Sequence, residues 1–296
     1  MTFVIIGYGT VGQATRAAAE FHGHKCVGVI DTHWTDGVLP EPHSLFTTAR
    51  LDLADLAFVC VPTPPADDGS CDTSAVRAAV ADLEARGYQN GVVVRSTVPP
   101  TLMEEIALNA QPTDRRRFLA NPEFLRVRDI EHTSRWPYYV VIGATGAYGK
   151  ASIGNDPWAR KLAHFYRPYF DDQVQPPIFV TDYRTAAFYK YLSNALIAAN
   201  VILADEAWQV AQALGVDWGI CYSIAQRCPV TPKTIRVDPD DRGFGGDCLP
   251  KDLGEFVWQA YQAGTGELFG AVLQKNQEVR SGTDHHPYAQ DPDDLG

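Results

Sequence analysis

Phe3-Val4-Ile5-Ile6-Gly7-Tyr8-Gly9-Thr10-Val11-Gly12 is the stretch that decides the fold. An apolar run of strand character enters a G-x-G-x-x-G turn, a helix-compatible stretch follows from Gln13 to Phe21, and a second apolar run, Lys25 to Ile30, ends on Asp31. A glycine triplet alone is common. Strand, turn, helix and terminal acid in this order make a dinucleotide-binding βαβ unit. Gly7 permits the tight turn, Gly9 lets a pyrophosphate approach the backbone, and Gly12 lets helix and strand pack closely. Thr10 and Val11, at the amino end of the helix, face the phosphates. Asp31 is placed to accept hydrogen bonds from ribose hydroxyls and to repel a 2′-phosphate. The neighbouring Thr32 carries no positive charge, so NAD is expected rather than NADP.

Up to residue 182 short β-branched runs alternate with amphipathic stretches: Phe3–Ile6, Lys25–Ile30, Ala57–Val61, Gly91–Arg95, Phe118–Ala120 and Tyr138–Ile142. That alternation predicts an α/β domain, a Rossmann-type mostly parallel sheet flanked by helices, over residues 1–182. The texture then changes. Arg184 to Leu214 is almost free of Gly and Pro, carries Ala187, Tyr191, Asn194, Ala198 and Ile202 at helical spacing, and stops at Gly215. It predicts one long helix opening an all-helical central domain over residues 183–280. Further helices are expected from Trp218 to Gln226, from Pro250 to Ala263 and on to about Val279. Residues 281–296 read as a flexible polar tail in which His285-His286 is an inert pair, and no metal site is expected.

The 296 residues leave room for two compact domains, and 45% hydrophobic with 21% charged residues is an ordinary globular composition. A formal charge of −11 disfavours nucleic acid and anionic membrane surfaces as partners. No signal peptide and no run of eighteen apolar residues is visible. The six cysteines form no C-x-x-C pair, so free thiols in a cytoplasmic protein are expected.

The chemistry concentrates in Gly243-Phe244-Gly245-Gly246-Asp247-Cys248-Leu249-Pro250-Lys251-Asp252. Pro250 favours the first turn of a helix, which sets the Cys248 thiol near unpaired N–H groups that stabilise a thiolate. Asp252 falls on the same side of that turn, where it can orient a water or the thiol proton. Cys26 and Cys60 lie in strand-like runs and read as buried small hydrophobes, and Cys71, Cys221 and Cys228 lack comparable surroundings. On the long helix Lys190 and Asn194 share a face and can jointly hold an oxyanion. Taken alone such a pair is more often a helix surface. Glu123, in Asn121-Pro122-Glu123-Phe124-Leu125, and Thr97, in Arg95-Ser96-Thr97-Val98-Pro99, follow strands at the carboxyl edge of the sheet, where ligands bind.

Taken in order, the glycine turn, Val61-Pro62-Thr63-Pro64, Arg95 to Pro99, Asn121 to Leu125, Lys190-Tyr191 with Asn194, and Gly243 to Asp252 strongly resemble the UDP-glucose/GDP-mannose dehydrogenase family over residues 1 to about 279. The resemblance implies oxidation of a nucleotide-sugar primary alcohol to the carboxylate, with two successive NAD reductions and a thioester on the cysteine. It implies Cys248 as nucleophile, Lys190 and Asn194 as oxyanion donors, and Asp252 and Thr97 positioning a water and the reacting groups. Glu123 becomes the base for thioester hydrolysis, while Thr63, Thr97 and Lys251 lie near the cofactor. It also implies a homodimer built on the long helix.

The family pattern is not complete. The third, nucleotide-binding domain is expected to be missing, Val127 stands where the family has a second glutamate, Ala187 replaces another, and Cys228 to Arg242 lacks a glycine ahead of Gly-Phe-Gly-Gly. Three functions therefore stand as expectations: a nucleotide-sugar dehydrogenase; a relative that acts on a smaller hydroxymethyl compound or stops at the aldehyde; and an NAD-binding protein that is non-catalytic or completed by a partner.

Overall fold

The structure, a computed structural model, describes residues 1–32, 50–110, 117–145, 156–170, 177–230 and 237–282. The chain divides into two compact units: Met1–Pro64 with Cys71–Lys190, and Pro65–Ser70 with Tyr191 onward. Residues 281–296 of the expected tail lie almost wholly outside the described residues, His285-His286 among them.

In the first unit the strands are β1 (Thr2–Ile6), β2 (Lys25–Ile30), β3 (Leu56–Val59), β4 (Gly91–Val94), β5 (Phe118–Ala120), β6 (Val140–Ala144) and β7 (Ile178–Asp182). They form one sheet in the order β2-β1-β3-β4-β5-β6-β7. Pairing is parallel except where Ala120 of β5 meets Gly143 of β6 in antiparallel register. The helices of this unit are α1 (Thr10–Phe21), α2 (Ser74–Ala85), α3 (Leu102–Asn109), α4 (Ile130–Arg135) and α5 (Pro157–Tyr166).

The alternation of side chains along each strand builds two apolar layers. Val4, Ile6, Ala57, Val59, Val92 and Val94 face one way, onto Val76, Val80 and Leu83 of α2 and Met103 of α3. Phe3, Ile5, Leu56, Phe58 and Val93 face the other, onto Ala18 and Ala19 of α1 and Leu162 and Phe165 of α5. All four residues of β3 are buried, as expected of a strand covered on both faces. At about 1.5–3 kcal/mol per large apolar side chain, these layers hold the unit together. α5 starts where Asp156 accepts hydrogen bonds from the Trp158 and Ala159 N–H groups, at 2.9 and 3.0 Å, with Pro157 in the first turn.

The sheet order reverses between β1 and β3, so the carboxyl ends of those strands form the switch point at which open α/β sheets bind ligands. β7 was not among the expected strands. It is an edge strand of mostly half-exposed residues, with Phe179 59% exposed, and its sequence lacks a period-two pattern.

The long helix, α6, spans Tyr183–Ala213. Its end is a Schellman motif: the Gly215 N–H donates to Gln212 O at 3.1 Å and the Val216 N–H to Ala211 O at 2.8 Å, with Gly215 at φ +65°. The change of composition at residues 182–183 does not coincide with the division between units, which falls after Lys190. The reason is packing: Tyr183 and Ala186 belong to the core layer of the sheet.

In the second unit α6 is followed by α7 (Trp218–Arg227), α8 (Leu249–Gln262) and α9 (Glu267–Ser281). Tyr191, Ala195, Ala198 and Ile202 of α6 pack with Leu253, Phe256 and Val257 of α8 and Val272 of α9. By length and composition alone α6 could cross a membrane. No run of eighteen apolar residues occurs in it, since charged and polar residues interrupt the sequence. Those residues, Lys190, Asn194 and Asp205, are buried and hydrogen-bonded within the protein, which makes α6 a core helix.

Candidate active site

Gly7 leaves β1 at φ +88°, and a Cβ there would lie 2.8 Å from the Cys60 carbonyl oxygen. A Cβ on Gly12 would overlap the Gly7 carbonyl oxygen, whereas one on Gly9 would meet nothing within 4 Å. Two of the glycines are thus demanded by packing, and the third opens the backbone toward a ligand. Gly9 caps α1, whose first turn carries Thr10 and Val11 and no acid, so the helix terminus keeps its attraction for an anion. The Asp31 carboxylate accepts the Tyr8 N–H at 2.5 Å, which ties the end of β2 to the turn. Thr63, just past β3, is buried. Thr97 is half-buried beyond β4, and its carbonyl faces the Cys71 thiol at 3.8 Å.

Glu123 follows β5 and is 8% exposed; Lys190, on α6, is 4% exposed. The Lys190 Nζ lies 3.1 Å from Glu123 Oε1 and 5.4 Å from the centre of the Phe124 ring. The other carboxylate oxygen accepts the Leu125 N–H at 2.6 Å. Burial alone would raise the carboxyl pKa, but the Lys190 charge, these hydrogen bonds and the charge of Arg95 outweigh it and hold the group below its ordinary value. Glu123 is therefore a carboxylate at neutral pH, in the form a general base requires.

A network absent from the sequence reading fixes the segment before Glu123. Arg95 Nη1 donates to Asn121 Oδ1 at 2.7 Å and to the Tyr166 hydroxyl at 2.6 Å, that hydroxyl donates to the same Asn121 oxygen, and Asn121 Nδ2 donates to Val141 O at 2.8 Å. Arg95 stands inside a motif already singled out, yet Tyr166, its partner from α5, is distant in sequence. No spacing rule links them.

In the second unit Cys248 is exposed and stands at the amino end of α8, with Pro250 in the first turn. By contrast Cys26 and Cys60 are buried, and burial pushes the Cys60 thiol up to about 11. Asp252, 1% exposed, sits one turn into α8; its N–H donates to Cys248 O at 2.9 Å. Its carboxylate accepts Asn194 Nδ2 at 2.6 Å and pairs with Lys251 Nζ at 2.5 Å. Asn194 and Asp252 are brought together, and Lys251 with them. Among the described residues no group of three or more His, Cys, Asp or Glu side chains could hold a metal.

A glycine turn at the switch point of a parallel sheet, with an acid closing the second strand, defines a dinucleotide-binding α/β protein. The sequence model of the UDP-glucose/GDP-mannose dehydrogenase family, NAD binding domain, matches residues 42–155, and that of the family's central domain matches residues 184–278. The chain belongs to this family, whose members are oxidoreductases that act on CH–OH groups with NAD.

UDP-glucose 6-dehydrogenase AglM of Haloferax volcanii is 28% identical over 297 residues, which covers 89% of this chain and 66% of that protein. A solved UDP-glucose dehydrogenase from Pyrobaculum islandicum is 26% identical with a TM-score of 0.72, over 95% of this chain and 71% of that one. A solved 3-hydroxyisobutyrate dehydrogenase from Mycobacterium tuberculosis, 17% identical, shares the fold at a TM-score of 0.67 over 96% of this chain and 94% of that one. The chain spans about two thirds of the length of the curated relatives it matches.

Proposed function

We propose that the chain oxidises the primary alcohol of a nucleotide sugar to the carboxylate, with Cys248 as the covalent nucleophile. The observation that carries this reading is the exposed Cys248 thiol at the start of α8, one turn ahead of a buried Asp252 held by Asn194 and Lys251. Gly7, Gly9 and Gly12, the amino end of α1 at Thr10 and Val11, Asp31, Thr63, Thr97 and Lys251 are the residues assigned to NAD. The open space at Gly9 and the acid-free first turn of α1 fit a pyrophosphate. NAD, when bound, accepts a hydride from the carbon being oxidised.

The chain's own residues do the rest. The Cys248 thiolate adds to the aldehyde carbon, and the resulting thiohemiacetal oxyanion gives up a hydride to become the thioester. Lys190 and one N–H of Asn194 stabilise the oxyanion in each tetrahedral species; the other N–H of Asn194 is engaged by Asp252. Glu123 takes the proton of the water that cleaves the thioester, releasing the carboxylate and restoring the thiol. Asp252 and Thr97 position that water and the reacting groups. A covalent intermediate keeps the aldehyde from escaping.

A relative acting on a smaller hydroxymethyl compound, or stopping at the aldehyde, is the second reading, favoured by Val127 standing where the family has a glutamate. One assay separates them. The protein is incubated with NAD and a panel of UDP- and GDP-sugars and small hydroxymethyl acids, and both reduced cofactor and carboxylate are counted. The expected result is two reduced cofactors per carboxylate with a nucleotide sugar. Turnover of a small alcohol alone, or one cofactor per product, selects the second reading. Reduction that appears only when a cell extract is added points to a partner that completes the protein.

The same reading includes a homodimer through α6. Leu196, Leu203 and Val210, seven residues apart, are 49%, 60% and 54% exposed in the single chain, an apolar stripe suited to a second copy. Light scattering is expected to give twice the chain mass of 32.5 kDa; a monomer at micromolar concentration contradicts it.

A further inference from the structure

The loop that delivers Cys248 is fixed at its base by side chains that lie outside every role assigned above. Arg242, just ahead of Gly243, donates from Nε and Nη2 to the two carboxylate oxygens of Asp205 on α6, at 2.8 and 2.7 Å. Asp205 is 1% exposed and also accepts Gln209 Nε2 at 2.8 Å, while the Arg242 guanidinium lies 5.3 Å from the centre of the Trp208 ring. A planar fork on a buried carboxylate, stacked near an aromatic face, restricts orientation as well as distance.

Two residues further on, Asn276 of α9 grips the backbone in both directions. Its Oδ1 accepts the Phe244 N–H at 2.7 Å and its Nδ2 donates to Phe244 O at 3.0 Å, with Asn276 only 5% exposed. The Phe244 side chain is itself part of the helical core. Arg280, one turn along α9, pairs with Asp241 at 2.5 Å and donates to Arg242 O at 3.3 Å. Residues 241–244 are thus held by α6 and α9 together, and only the short exposed segment Gly245 to Asp247 separates them from the thiol.

We infer that Asn276 and the Asp205–Arg242 fork are positioning residues for the Cys248 nucleophile: they hold the base of its loop so that the sulfur stays against the amino end of α8. The inference rests on the nucleophile reading, and it predicts an effect on chemistry that outruns any effect on cofactor binding.

The test uses the full chain and four proteins: wild type, Asn276→Ala, Arg242→Ala and Arg242→Lys. Two quantities are read for each: steady-state NAD reduction with the best substrate of the panel, and the pH profile of Cys248 alkylation by iodoacetamide, followed by peptide mass spectrometry. Asn276→Ala and Arg242→Ala are expected to lose at least tenfold in kcat with KM for NAD within twofold, and to shift the alkylation midpoint to higher pH. Arg242→Lys is expected to fall between Arg242→Ala and wild type, since an ammonium restores the charge but not the fork. Wild-type kcat and an unshifted alkylation profile in a folded Asn276→Ala protein overturn the inference. If that variant does not accumulate, equal kcat and equal profiles across the Arg242 series overturn it instead. Failure of the nucleophile reading is distinguishable: Cys248→Ala then keeps the full carboxylate yield of the wild type, and the alkylation profiles alone decide the clamp.

Discussion

Cys248→Ala is expected to lower carboxylate formation by about a thousandfold or more, which corresponds to roughly 4 kcal/mol of transition-state stabilisation. The sulfur is asked to supply the bond that converts the aldehyde, a poor hydride donor when not tetrahedral, into a thiohemiacetal that can be oxidised. Alanine removes that bond and little else, because the thiol is exposed and fills no core volume. The glycine turn and Asp31 belong to the other compact unit, so affinity for NAD is expected to stay within twofold, measured by quenching of protein fluorescence. Whatever oxidation survives should deliver one reduced cofactor and an aldehyde that a hydrazine reagent traps. Full carboxylate yield from Cys248→Ala would remove the thiol from the mechanism.

Lys190→Met is expected to cost stability on a comparable scale. It strips the partner from Glu123, a buried carboxylate, and breaking a buried pair from one side costs about 3–5 kcal/mol. The pH dependence gives the sign. In the wild type the Glu123 pKa lies below its ordinary 4.5, so its contribution is fully present above that value and is lost as the pH falls through the depressed one. In Lys190→Met the opposing charge is gone and burial dominates, which raises the pKa; the variant then loses stability as the pH rises through it. The gap between the two proteins in urea unfolding should therefore widen from pH 5 to pH 8. Adding Glu123→Gln to Lys190→Met should close most of it, because a neutral amide needs no counter-charge. A gap that does not vary with pH would show that lost packing of the lysine stem, and not the charge, accounts for the cost.

Much of the fold was legible because its signals are local. The run from Phe3 to Asp31 contains strand, turn, helix and acid within one short segment, and the helix stop at Gly215 follows from a single residue that tolerates positive φ. What escaped was set by tertiary contacts. β7 has no alternation because it lies at an edge, the division between units falls inside α6 because Tyr183 and Ala186 serve the sheet, and the antiparallel pairing of β5 with β6 hangs on one pair of residues, Ala120 and Gly143. The site followed the same rule. Lys190 and Asn194 could be placed on one helical face from spacing, whereas the partner each one has, Glu123 for Lys190 and Asp252 for Asn194, is 67 and 58 residues away and visible only in three dimensions. The Arg95–Asn121–Tyr166 network and the Asn276 grip on Phe244 have no sequence signature at all, since an asparagine or an arginine in a helix or after a strand reads as surface until its burial is known.

The covalent step is tested most directly by the intact mass of Glu123→Gln after incubation with NAD and a turned-over nucleotide sugar. The variant keeps an acceptor for Lys190 but has no base for hydrolysis, so the acyl group should accumulate. The predicted result is a mass increase equal to one acyl group, located on the Cys248 peptide and removed by hydroxylamine. Reduced cofactor formed in amounts matching the protein, with the mass unchanged or the adduct on another residue, would contradict the assignment of Cys248 as the nucleophile.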